Sequence, residues 1–389
     1  METNKEFNHK VFNIFIGIFI VSMFIKMSQF SFSGLFKIIS FSIIVLLSLF
    51  LILFKKNYFN RKIFVIFISF TLWIVYQFIM GSSDILFSVF YLSSLLLLFS
   101  LSFFLIPKLI DSKEKILDYN KVFFWGILVS MILFLLLSIG NPNSLVVAER
   151  TRFYSFFSNP NTLGAFSLIG IITCIATYTL NNNKKYLIPS FFYLILMFSS
   201  NSRGSITTLI FALSISFLLI KLLKSNLKTK LLTIIISISV IWIIFLLINS
   251  HAFDTLIESN SFEDLDDVSS GRLAQWQTLN WKSPSIIFGT SDIKIVFTNY
   301  YLGVLATSGL IGLSLLITIL LKIFSLMNKL AKNSNSIKLT WLNYLLFIAL
   351  LSYGLFEGAL FNLGNFLSIY LLTNIGIIIS YQLRVEESQ

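Results

Sequence analysis

Arg150, Arg152, Arg203 and Arg272 are four of the chain's six arginines, and all fall in polar connections between long apolar stretches. A guanidinium is planar, permanently charged and able to grip a phosphate through two parallel hydrogen bonds, where an ammonium offers only a point charge. Arginines gathered on one face are suited to holding an anion, and to stabilising one that forms as a leaving group without help from a metal ion. Arg203 is the best placed. It lies in the turn Asn201-Ser202-Arg203-Gly204-Ser205, whose Gly and Ser open the next apolar segment and so add helix N-terminal amides to the anion site.

Other chemistry is missing or sparse. The single cysteine, Cys174, lies within an apolar run and the histidines are only His9 and His251, too few for a zinc cluster or a structural disulfide. His9 reads as a cytoplasmic tail residue, His251 as interfacial or catalytic, and Cys174 as lipid-facing or core packing. There is no P-loop and no dinucleotide fingerprint, so neither nucleotide hydrolysis nor a cofactor is expected. Acidic residues from Glu263 to Asp267 match no oxygen-ligand loop and read as a solvated face, leaving no metal site expected. Glu357 is different. It interrupts an apolar run, where a carboxylate is costly unless it faces water or a partner, which makes it a candidate general base, although Gly358 and Asn362 beside it also suit an ordinary short outer loop.

The elements that must position these groups are membrane spans. Hydrophobic residues make up 56% of 389 positions and mean hydropathy is +0.87, with apolar stretches near the length of a bilayer core recurring throughout. The sequence predicts an all-α polytopic membrane protein, a single transmembrane domain over residues 1–389. Its twelve expected helices cover 11–30, 35–54, 63–80, 85–107, 122–140, 162–180, 186–200, 204–223, 231–250, 300–321, 341–356 and 361–382. Taken in alternate connections, the 29 basic residues split 21 to 8. The poorer side holds Lys26, Lys37, Arg150, Arg152, Arg203, Arg272, Lys282 and Lys294. Positive charge stays inside, so both termini are expected in the cytoplasm and the arginines outside. The net charge of +12 then needs no nucleic acid, since most of the excess lies beside anionic headgroups.

Two extracytoplasmic loops are longer than a simple connection requires, 141–161 and 251–299. In the second, Gly271-Arg272-Leu273-Ala274-Gln275-Trp276 reads as the start of a capped helix with Arg272 and Trp276 four positions apart, hence neighbours on its surface.

With these motifs in order, the chain resembles the superfamily of O-antigen ligases and Wzy-type polysaccharide polymerases. The resemblance rests on Arg152 followed by Phe157-Ser158-Asn159-Pro160-Asn161-Thr162-Leu163-Gly164, on Asn201-Ser202-Arg203-Gly204, on Gly271-Arg272 with Trp276, and on Asn299 followed by Gly309 and Gly312. It covers residues 150 to 312. The resemblance implies a GT-C-like fold in the bacterial plasma membrane and inverting, metal-independent glycosyl transfer at the outer leaflet. The implied donor is an oligosaccharide on polyprenyl pyrophosphate, and other polysaccharide-assembly proteins are implied partners. Thr298 stands where the ligase signature has histidine, and threonine is no base near neutral pH, which favours the polymerase branch.

On this reading Arg203, Arg152 and Arg272 clamp the leaving pyrophosphate, with Glu357 as base. Arg150, Asn159, Asn161, Trp276, Thr298 and Asn299 contact substrate. Simpler roles compete for several of them. Arg150 adjoins Glu149 and Arg272 follows an acidic run, so weak surface ion pairs account for either. Asn159, Pro160 and Asn161 suit a helix cap, and Gly309 and Gly312 suit close helix packing. A ligase using another acceptor is the nearer alternative function. A flippase for the same lipid is more remote, because it would carry cations along its spans, whereas here they gather at one surface.

Overall fold

A computed structural model describes residues 2–52, 60–80, 85–139, 152–224, 285–289, 299–333, 336–357, 361 and 363–388. Among them the chain is helical, without a β-strand beyond one isolated bridge between Ser28 and Phe157. The helices are α1 (Glu2–Lys26), α2 (Ser33–Ile52), α3 (Arg61–Met80), α4 (Ile85–Ser100), α5 (Ile106–Leu109), α6 (Lys113–Ile139), α7 (Pro160–Asn181), α8 (Ile188–Ser199), α9 (Arg203–Lys224), α10 (Ser285–Phe288), α11 (Tyr300–Asn333), α12 (Ile337–Phe356) and α13 (Phe366–Ser388). Ten stretches among the described residues are long and apolar enough to cross a membrane. The protein is an all-α, multi-pass membrane protein.

Most expected spans are found, with shifted ends. The first helix stops at Lys26 rather than at residue 30, and the segment beyond it is held by backbone pairing with the 156–158 stretch. The span expected at 186–200 is the short α8 of 12 residues, preceded by a 3-10 turn at Lys184–Leu187. The span expected to end at 321 continues to Asn333. The span at 231–250 lies outside the described residues.

Burial sorts the helices into layers. In α7, α12 and α13, 83%, 78% and 94% of the spanning window is buried against 33% in α2, so these three form the centre and α2 faces lipid. Central helices in lipid carry small and hydroxyl side chains that permit close approach and satisfy their own backbone. In α7, Thr173, Thr177 and Thr179 each donate to a carbonyl three or four residues back. A buried polar knot fastens α6 to α13: Asn120 Nδ2 donates to Asn374 Oδ1 at 2.9 Å, Tyr370 OH to Asn120 Oδ1 at 2.8 Å, and Tyr119 OH pairs with Thr373 Oγ1 at 2.7 Å. Satisfied networks of this kind fix one helix register.

Two minor expectations resolve here. Cys174 is buried in the core, which removes the lipid-facing alternative. His9 lies within α1, buried, with Nδ1 3.3 Å from Asn13 Nδ2, and is no tail residue.

Gly309 is where α11 bends. Its φ of 65° and ψ of −170° are closed to most side chains, and a Cβ there would lie 2.2 Å from the Ile287 carbonyl oxygen. Glycine is required twice over, by the backbone turn and by the seat of α10 against α11. Close packing, expected at Gly309 from its spacing alone, is what the structure uses it for.

Candidate functional site

Segments widely separated in sequence converge at one end of the bundle. The first is the 152–164 stretch. Phe157 is fully buried against Phe24, Phe134 and Phe166, so an aromatic plug pins the loop to the helix ends beneath it. Gln29 donates from its backbone to the Phe156 carbonyl at 3.1 Å and from Nε2 to the Phe157 carbonyl at 3.0 Å, and Ser158 N donates to the Met27 carbonyl at 3.0 Å. Asn159 then caps α7, its side chain accepting from Asn161 N at 2.7 Å, with Pro160 at the first helical position.

The second segment is the 200–205 turn between α8 and α9. Asn201 has φ 48°, and Arg203 N donates to the Asn201 carbonyl at 3.1 Å as α9 begins. Ser202 and Ser205 are buried, their hydroxyls 3.0 Å apart, and they face Gly164 of α7. A Cβ at Gly164 would lie 2.2 Å from Ser202 Cβ. The Gly that ends the first motif is therefore the seat of the second. Gly164→Ala is expected to destabilise the protein by about 1–3 kcal/mol through overpacking, read as a lowered thermal midpoint in detergent. Gly17→Ala, where a Cβ meets nothing within 4 Å, is expected to leave the midpoint in place.

Arg152 joins these two segments. Its Nε donates to the Ser200 carbonyl at 2.9 Å, and Nη2 donates to Asn161 Oδ1 at 2.7 Å and to the Asn201 carbonyl at 3.2 Å. Carbonyls past a helix C-terminus carry partial negative charge, and a guanidinium fork can span several of them. The geometry makes Arg152 a positioning residue: it aims the Asn161 carboxamide and closes the α8–α9 turn.

The third segment runs from the end of α12 to the start of α13. Glu357 is the C-cap of α12, its N–H donating to the Tyr353 carbonyl at 2.9 Å. Phe356, just before it, abuts Gly204, where a Cβ would come within 2.9 Å of the phenylalanine Cβ, so the head of α9 lies beside Glu357's end of α12. Asn365 caps α13, accepting from Ser368 N at 3.2 Å and donating to Tyr353 OH at 3.4 Å.

Between the first and third segments lies a cavity of about 330 Å³. Asn159, Asn161, Thr162, Tyr353, Glu357 and Asn365 give it polar walls, with Met27, Phe166 and Leu367 among its apolar ones. Its size suits a small ligand or one or two sugar rings. A carboxylate facing two or three carboxamides can accept a proton from a hydroxyl that those amides hold in place.

Of the residues singled out in sequence, Asn159, Asn161 and Glu357 line this cavity. Arg152 reaches the wall through Asn161, and Arg203 is the first residue of α9, whose Gly204 abuts Phe356 next to Glu357. Asn299 is not in the cavity lining; its Oδ1 accepts from Leu302 N at 3.1 Å and caps α11. Arg150, Arg272, Trp276, Thr298 and His251 lie outside the described residues, as do most of both long loops. Tyr353, Asn365 and Lys26 were missed. Lys26 Nζ donates to the Gly364 carbonyl at 2.9 Å, at the cavity's edge. Gly364-Asn365 ahead of an apolar run is a capping signal, and it could have drawn attention to Asn365. Among the described residues no group of three metal-ligating side chains occurs.

No protein-family model matches the chain, and no curated protein matches it at a significant level.

Proposed function

We propose that the protein polymerises lipid-linked oligosaccharide repeat units, with the arginine-bearing end of the bundle outside the plasma membrane and both termini in the cytoplasm. The observation that carries this reading is the convergence of Asn159, Asn161 and Glu357 on one cavity, backed by Arg152 and the head of α9. A hydroxyl of the acceptor sugar attacks the anomeric carbon of the donor, whose bond to the pyrophosphate oxygen breaks with inversion. The hydroxyl proton passes to Glu357, and the electron pair leaves on polyprenyl pyrophosphate. Arg203, Arg272 and the α9 amides oppose the charge that grows there. Asn159 and Asn161 hold acceptor hydroxyls, with Asn161 aimed by Arg152.

A ligase that passes the glycan to a different acceptor is the second reading. It is favoured by the spacing of Asn299, Gly309 and Gly312, with Gly309 in a conformation that needs glycine.

The deciding experiment uses purified protein in nanodiscs with one defined oligosaccharide on polyprenyl pyrophosphate. A ladder of lengthened glycans on lipid, with release of free polyprenyl pyrophosphate, is the expected result. Consumption only on addition of a second acceptor class would establish the ligase. No bond formation, together with movement of the intact lipid across proteoliposomes, would establish a transporter.

A further inference from the structure

The cavity has a cationic edge that adjoins an apolar groove. Lys26 ends α1, and one helical turn earlier on the same face lies Ser22. Ser22 and Val21 belong to an apolar groove of about 430 Å³ between α1 and α2, lined also by Ile14, Gly17, Ile18, Phe36 and Ile39. The groove exists because Gly17 leaves a gap: a Cβ there would meet nothing within 4 Å. Flanking it, Ile14, Ile18 and Val21 are 62%, 52% and 48% exposed, so its mouth opens sideways.

Charge at the groove's end has no carboxylate partner among the described residues. Lys37 lies in sequence between Phe36 and Ile39 of the groove wall, and it is the charged neighbour that acts on Lys26. Beyond Lys26 comes Met27, which lines the polar cavity, as does Gly364, whose carbonyl Lys26 holds. An apolar trough, two ammonium groups and a polar cavity thus follow one another along the end of α1. That order matches one kind of molecule: a long apolar chain, an anionic bridge and a polar head.

We propose that the α1–α2 groove seats the isoprenoid tail of the acceptor lipid, a polyprenyl pyrophosphate distinct from the donor whose leaving group faces Arg203, with the acceptor's pyrophosphate on Lys26 and Lys37 and its head group in the cavity. An ordinary phospholipid matches the groove less well, since its head would leave the Asn159–Glu357 cavity unfilled. This inference rests on the proposed function for the identity of the head group, and the test separates the two.

The probe is a polyprenyl pyrophosphate without sugar, bearing a photoreactive group in its tail, added to the full-length protein in nanodiscs. Labelling is expected on Ile14, Ile18, Val21, Phe36 or Ile39. Unlabelled polyprenyl pyrophosphate should compete, and the uncharged polyprenol or phosphatidylglycerol should not. Gly17→Leu, which fills the gap without a clash at its Cβ, should cut labelling about ten-fold, as a 1.4 kcal/mol loss of affinity would. Gly17→Ala should change it little. Lys26→Gln, which retains a donor for the Gly364 carbonyl, should erase most of the advantage of pyrophosphate over polyprenol. Equal competition by phosphatidylglycerol, labelling elsewhere, or indifference to Gly17→Leu in normally inserted protein would overturn the proposal. Groove labelling in a protein that lengthens no glycan would leave the lipid site standing and remove the polymerase. Glycan lengthening without groove labelling would do the reverse.

Discussion

Glu357→Gln is expected to slow glycan transfer by about 10²- to 10⁴-fold, the range that a positioned base contributes. Glutamine keeps the size of the side chain and its place at the end of α12, where Glu357 shares the cavity wall with Asn159 and Asn161. On the proposed mechanism it loses only the ability to take the acceptor's proton. Binding of the lipid-linked donor should therefore stay close to its original strength while the single-turnover rate falls. Glu357→Asp, with the carboxylate drawn back by one methylene, should fall between the two. A near-normal rate for the glutamine variant would demote Glu357 to a helix cap and leave proton removal to solvent.

Arg203→Lys is expected to weaken transition-state binding by about one to three kcal/mol, roughly five- to over one-hundred-fold in rate, because charge is kept while the planar fork is lost. Arg203→Ala should cost more. Rates must be compared at matched membrane levels, since Arg203 is also the first residue of α9 and its carbonyl accepts from Thr207 Oγ1. If both variants turn over normally, Arg203 only starts a helix, and Arg272 remains to oppose the leaving group. Arg152 answers a different question. Its fork already reaches Ser200, Asn161 and Asn201, so its loss should disturb acceptor placement and raise KM along with lowering kcat.

What could be read from sequence follows from which forces act locally. Apolar runs show their length directly, so most helices were legible, and Asn159-Pro160 announced the start of α7 as a cap and first residue. Helix ends were less legible: α1 stops at Lys26 because the following strand-like pair with residues 156–158 takes over its backbone, a contact made across more than 120 residues. The contacts of Arg152 were not legible, because two of its three acceptors are backbone carbonyls of another turn, and any sequence supplies those. Gly164 ends a motif visible in sequence, yet its reason is the Ser202 side chain at the head of a neighbouring helix. In sequence Lys26 is only one basic residue among the eight of the poorer side. Its significance depends on Gly364, 338 positions away.

The shortness of α8 bears on what the site does with water. Its 12 residues and the 3-10 turn before them rise about 26 Å, against a hydrocarbon core of about 30 Å. In the proposed topology Lys184 and Lys185 lie among the cytoplasmic headgroups, which would leave the Asn201–Arg203 turn beneath the opposite headgroup layer. A bound anomeric carbon would be reached there mainly through the cavity, whose volume an acceptor sugar fills. In the glycosyl transfer proposed above, water competes with the sugar as nucleophile, and a sunken turn would tip that competition toward the sugar, so that chains are extended and not released.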